Sequence, residues 1–445
     1  MNHSSVFAQI VDAAPCSDGS VSLVHHGVIP LRPPEFDVDL ARQETFGCHR
    51  LIHLDNAGAA LPPDCVTETY IAALQEEAEI GSYRSARKQT AALRQTYAEL
   101  AQLLNCHVSE IALVESGSRA WDLSFSMIQL APGSVIVTTE YEYANNYIMM
   151  LRAARQCNCR IEFIRLDEGG DISLSHLSEL IDAWGKDIRV ISVTHVPTHN
   201  AIINPVEKIG QLIRSAKTSG ALADTAVYMV DACQSVGQMP VDVQNIRCDV
   251  LTICSRKFLR GPRGVAAIYF RKETLDREIA SNNAEPTFLN IPGFTWVQEH
   301  SYEMRRDGRC FETWESNYSA KTAFGRAINY YMARDPIGVE RYVTGLAAHL
   351  RKVLRNVNGV SLTDVGANKS ALVTFSMKGL PANGILHELE ANNINVSIID
   401  RRTAHINMNK RQQHFLLRSA VHYYNTKDEV EKFAQLIDQN ARRSQ

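Results

Sequence analysis

The 445-residue chain has no surplus of positive charge, no apolar run long enough to cross a bilayer, and no cysteine after Cys310. With a formal net charge of -3 it has no bulk electrostatic drive toward nucleic acid or an anionic membrane, and neither is expected as a partner. A transmembrane helix needs roughly 18 apolar residues in succession. A signal peptide needs a basic leader before an apolar stretch, and the opening MNHSSVFAQIVDAAPCSDG offers neither. A cytoplasmic location is therefore expected. The ten cysteines are scattered, which suits reduced thiols better than a disulfide framework. The closest pair, Cys157 and Cys159, has no second pair at zinc-ligand spacing, so no metal site is expected. Internal repeats, low-complexity tracts and long like-charge blocks are also missing.

What is present is ordinary globular material, 45% hydrophobic and 21% charged, in a length that suggests two or more domains or a large one with a satellite. Residues 1–50, with PLRPPEF, read as an irregular N-terminal arm. Two helices follow between Asp64 and Asn105, with a break at GSYRSA. Strands and helices then alternate, the strands being EIALVES, SVIVTTE, RIEFIRL, IRVISVTHV, AVYMVDA, DVLTICS and GVAAIYF. Apolar strands separated by helices predict right-handed crossovers and a mostly parallel sheet covered on both faces. Residues 51–318 thus read as a large α/β domain. From Ser319 long helices lead into a mixed pattern, so residues 319–445 read as a smaller α+β domain.

Ligands of parallel α/β sheets sit beyond the carboxyl ends of the strands, so the residues just past each strand carry the argument. The run VYMV ends in Asp231, with Gln234 three residues on, and VLTIC runs into Ser255, Arg256 and Lys257. After EIALVES, the hydroxyls of Ser116 and Ser118 and the first N–H groups of a helix could cradle a phosphate. Tyr143 offers a ring after SVIVTTE, and IRVISVTHV leads to His195, Thr198, His199 and Asn200. An amine, a carboxylate, a flat ring and a phosphate nest at one rim are what pyridoxal phosphate requires. Taken singly, each has a plainer reading: Lys257 as a turn residue, Asp231 as a helix cap, Tyr143 as packing. His195 and His199 suit hydrogen-bonded structural or substrate-positioning roles better than metal ligation.

The ordering of VDACQSVG and SRKFLRGPRG resembles the class V aminotransferase family of pyridoxal-phosphate enzymes, fold type I. That family includes cysteine desulfurases, cysteine lyases and isopenicillin-epimerase-like proteins. HLDNAGAALPP, THVPTHNAIINP and LLRSAVHYYNTKDEVEKF are similar to its segments in its order, so the likeness spans about residues 50–440. The resemblance implies that Lys257 forms the Schiff base and moves protons, that Asp231 pairs with the pyridine nitrogen, and that Gln234 and Thr198 approach the ring hydroxyl. It implies Tyr143 as the stacking ring, where cysteine desulfurases have a histidine. It assigns Gly117, Ser118, Ser255 and Arg256 to the phosphate, Arg418 to the substrate carboxylate, and Ala57 and Gly58 to the surroundings of the substrate α-carbon. It also implies a homodimer with a shared site.

Departures from the family narrow the reaction. Desulfurases of the iron–sulfur type take sulfur onto a cysteine in a C-terminal loop, and here that region is INVSIIDRRTAHINMNKRQQ. Ser397 stands where those enzymes have an arginine, leaving Arg418, with help from Arg401 or Arg402, to hold a carboxylate. FETWESN leaves Ser316 as the nearest hydroxyl where a partner's threonine commonly meets the phosphate. The expected activity is cleavage of a C–S bond in a cysteine-type amino acid by β-elimination, with transamination or epimerisation of an amino acid as the alternative.

Overall fold

Seven apolar runs pair into one sheet in the computed structural model of the chain, which describes residues 36–443 apart from 283 and 379–381. In chain order the elements are α1 (Asp64–Ile80), α2 (Thr90–Leu104), β1 (Ile111–Val114), α3 (Gly117–Ser126), β2 (Val135–Thr139), α4 (Ala144–Cys157) and β3 (Arg160–Ile164). They continue through α5 (Leu174–Trp184), β4 (Ile188–Thr194), α6 (Val206–Thr218), β5 (Val227–Asp231), β6 (Val250–Cys254) and β7 (Ala266–Phe270). The strand order is β1-β7-β6-β5-β4-β2-β3, parallel except for β7, which runs antiparallel to both neighbours. Every residue of β1, β2, β5, β6 and β7 is buried, as strands covered on both faces must be. The chain steps outward from β2 to β3 and returns to place β4 on the other side of β2. That reversal opens a crevice at the carboxyl ends of the strands.

The remainder builds a second, antiparallel sheet of order β8-β9-β11-β10 from β8 (Val360–Leu362), β9 (Leu372–Met377), β10 (Ser397–Asp400) and β11 (Phe415–Ala420). Before it run α7 (Tyr318–Met332) and α8 (Pro336–Arg355), and after it α9 (Lys427–Arg443). Helix α7 packs against α1 and α2, while α8 and α9 pack on each other. Segment 52–55 lies along the second sheet: Ile52 and His53 pair with Ile394 and Asn395, and Asp55 bridges to Ala420. This contact carries the loop at Ala57 and Gly58 toward the crevice. No helix among the described residues is long and apolar enough to cross a membrane.

Two expectations need correction, and one element is new. Residues 1–35 of the expected arm lie outside the described residues, but Val38–Gln43 is helical, because Asp37 accepts the Leu40 N–H at 2.9 Å and caps it. The GSYRSA break is a change of direction at Gly81, whose φ of 84° a side chain would oppose, and Ser82–Lys88 is itself a short helix. Phe294–Gln298 and Ser301–Met304 form a hairpin not read from the sequence. Its outward residues are largely exposed, so burial imposes no clear alternation on it.

Candidate active site

A cavity of about 290 Å³ opens at the carboxyl edge of the large sheet, and Gly117, Ser118, Tyr143, Thr198, Asp231, Gln234, Arg256 and Lys257 all line it. A larger cleft of about 810 Å³ lies at the opposite ends of the strands, lined by Lys217, Asp249, Arg271 and Arg277 among others. Lys217 there is tied to the Ala226 carbonyl at 2.6 Å, and no comparable set of reactive groups faces that cleft.

Parallel pairing explains the convergence. Asp231 stands opposite Thr194 on one side and Thr252 on the other, so the residues following β4, β5 and β6 leave the sheet together. The Asp231 carboxylate is held at both oxygens, by the Cys233 N–H at 3.0 Å and the Asn146 amide at 2.9 Å. Lys257 is buried, its carbonyl accepts from the Arg260 N–H at 2.9 Å, and its amine has no hydrogen-bond or ion-pair partner among the described residues. Ser116 caps α3 by accepting from the Arg119 N–H at 3.2 Å, which leaves Gly117 and Ser118 in the first turn with N–H groups free of helical partners.

Behind this wall lies a carboxylate that sequence reasoning missed. Glu142 is buried and accepts five hydrogen bonds: the Tyr143 N–H (3.0 Å), the Asn146 amide (3.0 Å), and the hydroxyls of Thr194 (2.7 Å), Ser192 (3.0 Å) and Thr138 (3.1 Å). Burial pushes its carboxyl above the usual range, against the pull of these donors. Asn146 thus bridges two carboxylates, Glu142 and Asp231, and fixes the orientation of the latter.

Other expected residues stand away from the cavity wall. Ser255 donates to the Pro262 carbonyl, while Cys254 and Cys233 face the cavity in its place. Strand residues alternate faces, and Thr252 and Cys254 share the face that Ser255 turns from. Ala57 meets the site through its carbonyl, which accepts the Gln234 amide at 2.9 Å, and a Cβ on Gly58 would lie 2.5 Å from an Asp55 oxygen. Arg418 stands behind Thr198. It donates to the Thr198 carbonyl (3.3 Å), to Ser397 Oγ (3.0 Å), its partner across β10 and β11, and to Asp55 Oδ1 (3.1 Å). Asp55 is a second residue the sequence reading overlooked. Arg401 and Arg402 are exposed, and Arg402 pairs with Asp400. His195 and His199 are buried, and burial alone holds His195 at about 4, so both are neutral.

An α/β sheet whose carboxyl edge holds a free lysine, a clamped aspartate and the start of a helix defines a lysine-dependent cofactor enzyme. The chain belongs to the class V aminotransferase family, whose model, described as Aminotransferase class-V, matches residues 52–433. It is 23% identical to a probable cysteine desulfurase of Pyrococcus abyssi, over 87% of this chain and 94% of that one. It is 25% identical to a probable cysteine desulfurase of Synechocystis sp., over 91% and 94%. Among solved structures it is similar to the apo cysteine desulfurase of Thermococcus onnurineus NA1, with a TM-score of 0.79, 23% identity, and coverage of 92% and 99%. It also resembles the cystine C–S lyase C-DES in complex with its product cysteine persulfide, with a TM-score of 0.74, 18% identity, and coverage of 88% and 98%.

Membership makes the chain an enzyme of pyridoxal 5'-phosphate, and the site fits that group. Among the described residues Gln234 Oε1 is buried in the cavity wall without a partner, and the Lys257 amine lines the same cavity. Gly117 leaves room in the first turn of α3 that a Cβ would close, since it would meet Cys233 Sγ at 2.6 Å.

Proposed function

We infer that the chain cleaves the C–S bond of a cysteine-type amino acid by β-elimination, releasing pyruvate, ammonia and a thiol or sulfur product. The observation that carries this reading is the unpartnered Lys257 amine in one cavity with Asp231, in a chain whose C-terminal 135 residues contain no cysteine to receive sulfur. The names of the relatives fall on C–S cleavage rather than on transamination or epimerisation.

Bound pyridoxal phosphate would supply an electron sink for the pair left when the Cα–H bond breaks. Lys257 would hold the cofactor and then move the proton at Cα. Asp231, oriented by Asn146, would keep a proton on the ring nitrogen, and Tyr143 would cover one face of the ring. Gln234 and Thr198 would meet the ring hydroxyl. Gly117, Ser118 and Arg256 would take the phosphate, with Ser255 shaping the turn, and Ala57 and Gly58 would border the substrate α-carbon. Arg418 would hold the substrate carboxylate through the two N–H groups that its three internal acceptors leave free. The working unit on this reading is a cytoplasmic homodimer of chains divided near residue 318.

The test is a spectral and product assay on purified protein with cysteine, cysteine S-conjugates and common amino acids. Pyruvate with ammonia and released thiol or sulfide is expected. Alanine with sulfur transfer, or conversion of the cofactor to its amine form without pyruvate, would overturn the reading. Lys257→Ala should remain folded and lose the cofactor's absorption band; a band unchanged by the substitution would remove Lys257 from its role.

A further inference from the structure

The chemistry above leaves unused two thiols in the same cavity. Cys233 and Cys254 are 9% and 4% exposed, and both line the wall that holds Lys257. They follow adjacent parallel strands: Asp231 is opposite Thr252, and the Ala232 N–H donates to the Thr252 carbonyl at 2.9 Å, which brings the residues two further along side by side. Cys254 Sγ donates to the Cys233 carbonyl at 3.5 Å and Cys233 Sγ to the Thr252 carbonyl at 3.8 Å, so each thiol is tied to the backbone that carries the other or its strand neighbour. Both face the first turn of α3, where the Cβ that Gly117 lacks would lie 2.6 Å from Cys233 Sγ and 3.5 Å from Cys254 Cβ.

This arrangement activates one sulfur. The neighbouring Cys233, followed by the positive charges of Lys257 and Arg256, favours thiolate at Cys254 against the cost of burial once Cys254 gives up the proton it donates to the Cys233 carbonyl, while Cys233 keeps its own. Elsewhere in the cavity neighbourhood, Asp231 opposes thiolate formation, so the effect belongs to the pair and its two cationic neighbours together.

We propose that Cys233 and Cys254 are a redox-active dithiol, closed to a disulfide by low-molecular-weight disulfides when the cofactor is absent, and that the closed pair blocks cofactor loading. The Cys254 thiolate attacks one sulfur of R–S–S–R, forming Cys254–S–S–R and releasing RS⁻. Cys233 then loses its proton and displaces the second RS⁻, so two protein thiols are oxidised and R–S–S–R is reduced to two thiols. Closure pulls on the turn that positions the site, because the Cys233 N–H holds Asp231 Oδ1 at 3.0 Å and Gln234 is the next residue. A bound cofactor fills the space through which an oxidant must reach either sulfur. The loading half of the proposal rests on the cofactor reading above; the closure of the dithiol does not.

The test uses the full chain with and without pyridoxal phosphate, each incubated with bis(hydroxyethyl) disulfide. The cofactor-free chain should lose the mass of two hydrogens and yield a Cys233–Cys254 cross-linked peptide. Its subsequent cofactor loading, followed by absorbance, should slow by at least about tenfold and recover with dithiothreitol, while the loaded chain should react at least about tenfold more slowly. Neither Cys233→Ser nor Cys254→Ser should form the cross-link: Cys233→Ser should stop at a hydroxyethyl adduct on Cys254, whereas Cys254→Ser should load equally with and without oxidant. On the unmutated chain, hydroxyethyl adducts without a cross-link, a cross-link between other cysteines, or equal reaction of loaded and unloaded chains would overturn the proposal. Peptide mapping of the unmutated chain decides the matter even where a serine variant fails to fold. A chain that cross-links but never binds pyridoxal phosphate would sink the cofactor reading and leave the dithiol standing.

Discussion

If Arg418 takes the substrate carboxylate, as proposed, Asp55 competes with that carboxylate for it, and Asp55→Asn measures the consequence. The two side chains form an ion pair at 3.1 Å, with the Arg418 side chain 7% exposed and that of Asp55 29%. Burial pushes the Arg418 guanidinium below its usual range and Asp55 draws it back, so the pair is close to neutral as a unit. An incoming carboxylate about 5 Å from Asp55 would be repelled by roughly 3 kcal/mol at an effective dielectric of about 20. Partial exposure of Asp55 screens this to about half. Removing the charge should therefore tighten carboxylate binding by about tenfold, the equivalent of roughly 1.4 kcal/mol. The assay is an equilibrium titration of the cofactor spectrum with cysteine, and in parallel with cysteamine, which has no carboxylate and should gain nothing. Arg418→Ala should weaken cysteine binding by about 2 to 4 kcal/mol if the contact is desolvated. Weaker cysteine binding in Asp55→Asn would refute the competition argument and make Asp55 a support that holds the arginine in place. Equal gains for cysteine and cysteamine would refute the electrostatic origin.

Three further perturbations follow from the geometry. Glu142→Ala strands five donors in the interior and should cost about 3 to 5 kcal/mol in urea unfolding, whereas Glu142→Gln keeps the shape and should cost less; equal, small losses would show that the carboxylate is not what organises the five groups. Gly117→Ala should weaken cofactor binding, since its Cβ would press on Cys233 Sγ at 2.6 Å, and an unchanged dissociation constant would remove the first turn of α3 from the phosphate seat. Burial holds His195 at about 4 and His199 at about 3, below the ordinary imidazole value of 6.5, so the folded chain resists protons that the unfolded chain accepts. Their contribution is fully present above pH 6.5 and is lost as pH falls toward 4 and then 3, at up to about 1.4 kcal/mol per pH unit for each histidine. Urea midpoints from neutral pH downward test this, and a flat profile through that window would refute it.

The carboxyl-edge rule made Asp231, Lys257 and the Gly117 turn legible, because each follows a strand whose apolar run is unmistakable. Residues that act across chain distance were not: Asp55 and Arg418 are 363 positions apart, and only the docking of segment 52–55 on β11 joins them. Glu142 was hidden differently. In EYEYANN it reads as one of two alternating surface charges, yet Thr138, Ser192 and Thr194 are wholly buried polar residues in two neighbouring, largely apolar strands. Hydroxyls at inward positions need partners, so their presence in two neighbouring strands announced a buried acceptor between them. The same strand logic distinguishes Ser255 from Cys254. Along VLTICSRK the period of two puts Thr252 and Cys254 on one face and turns Ser255 to the other, so the thiol, not the hydroxyl, meets the first turn of α3. If the first turn of α3 seats the phosphate, as proposed, a floor of sulfur in place of a hydroxyl loses a hydrogen-bond donor of ordinary strength and gains a group that can be oxidised. Binding at that seat should therefore depend more on the backbone N–H groups of α3 and on Arg256, and it should vary with the redox state of the solution.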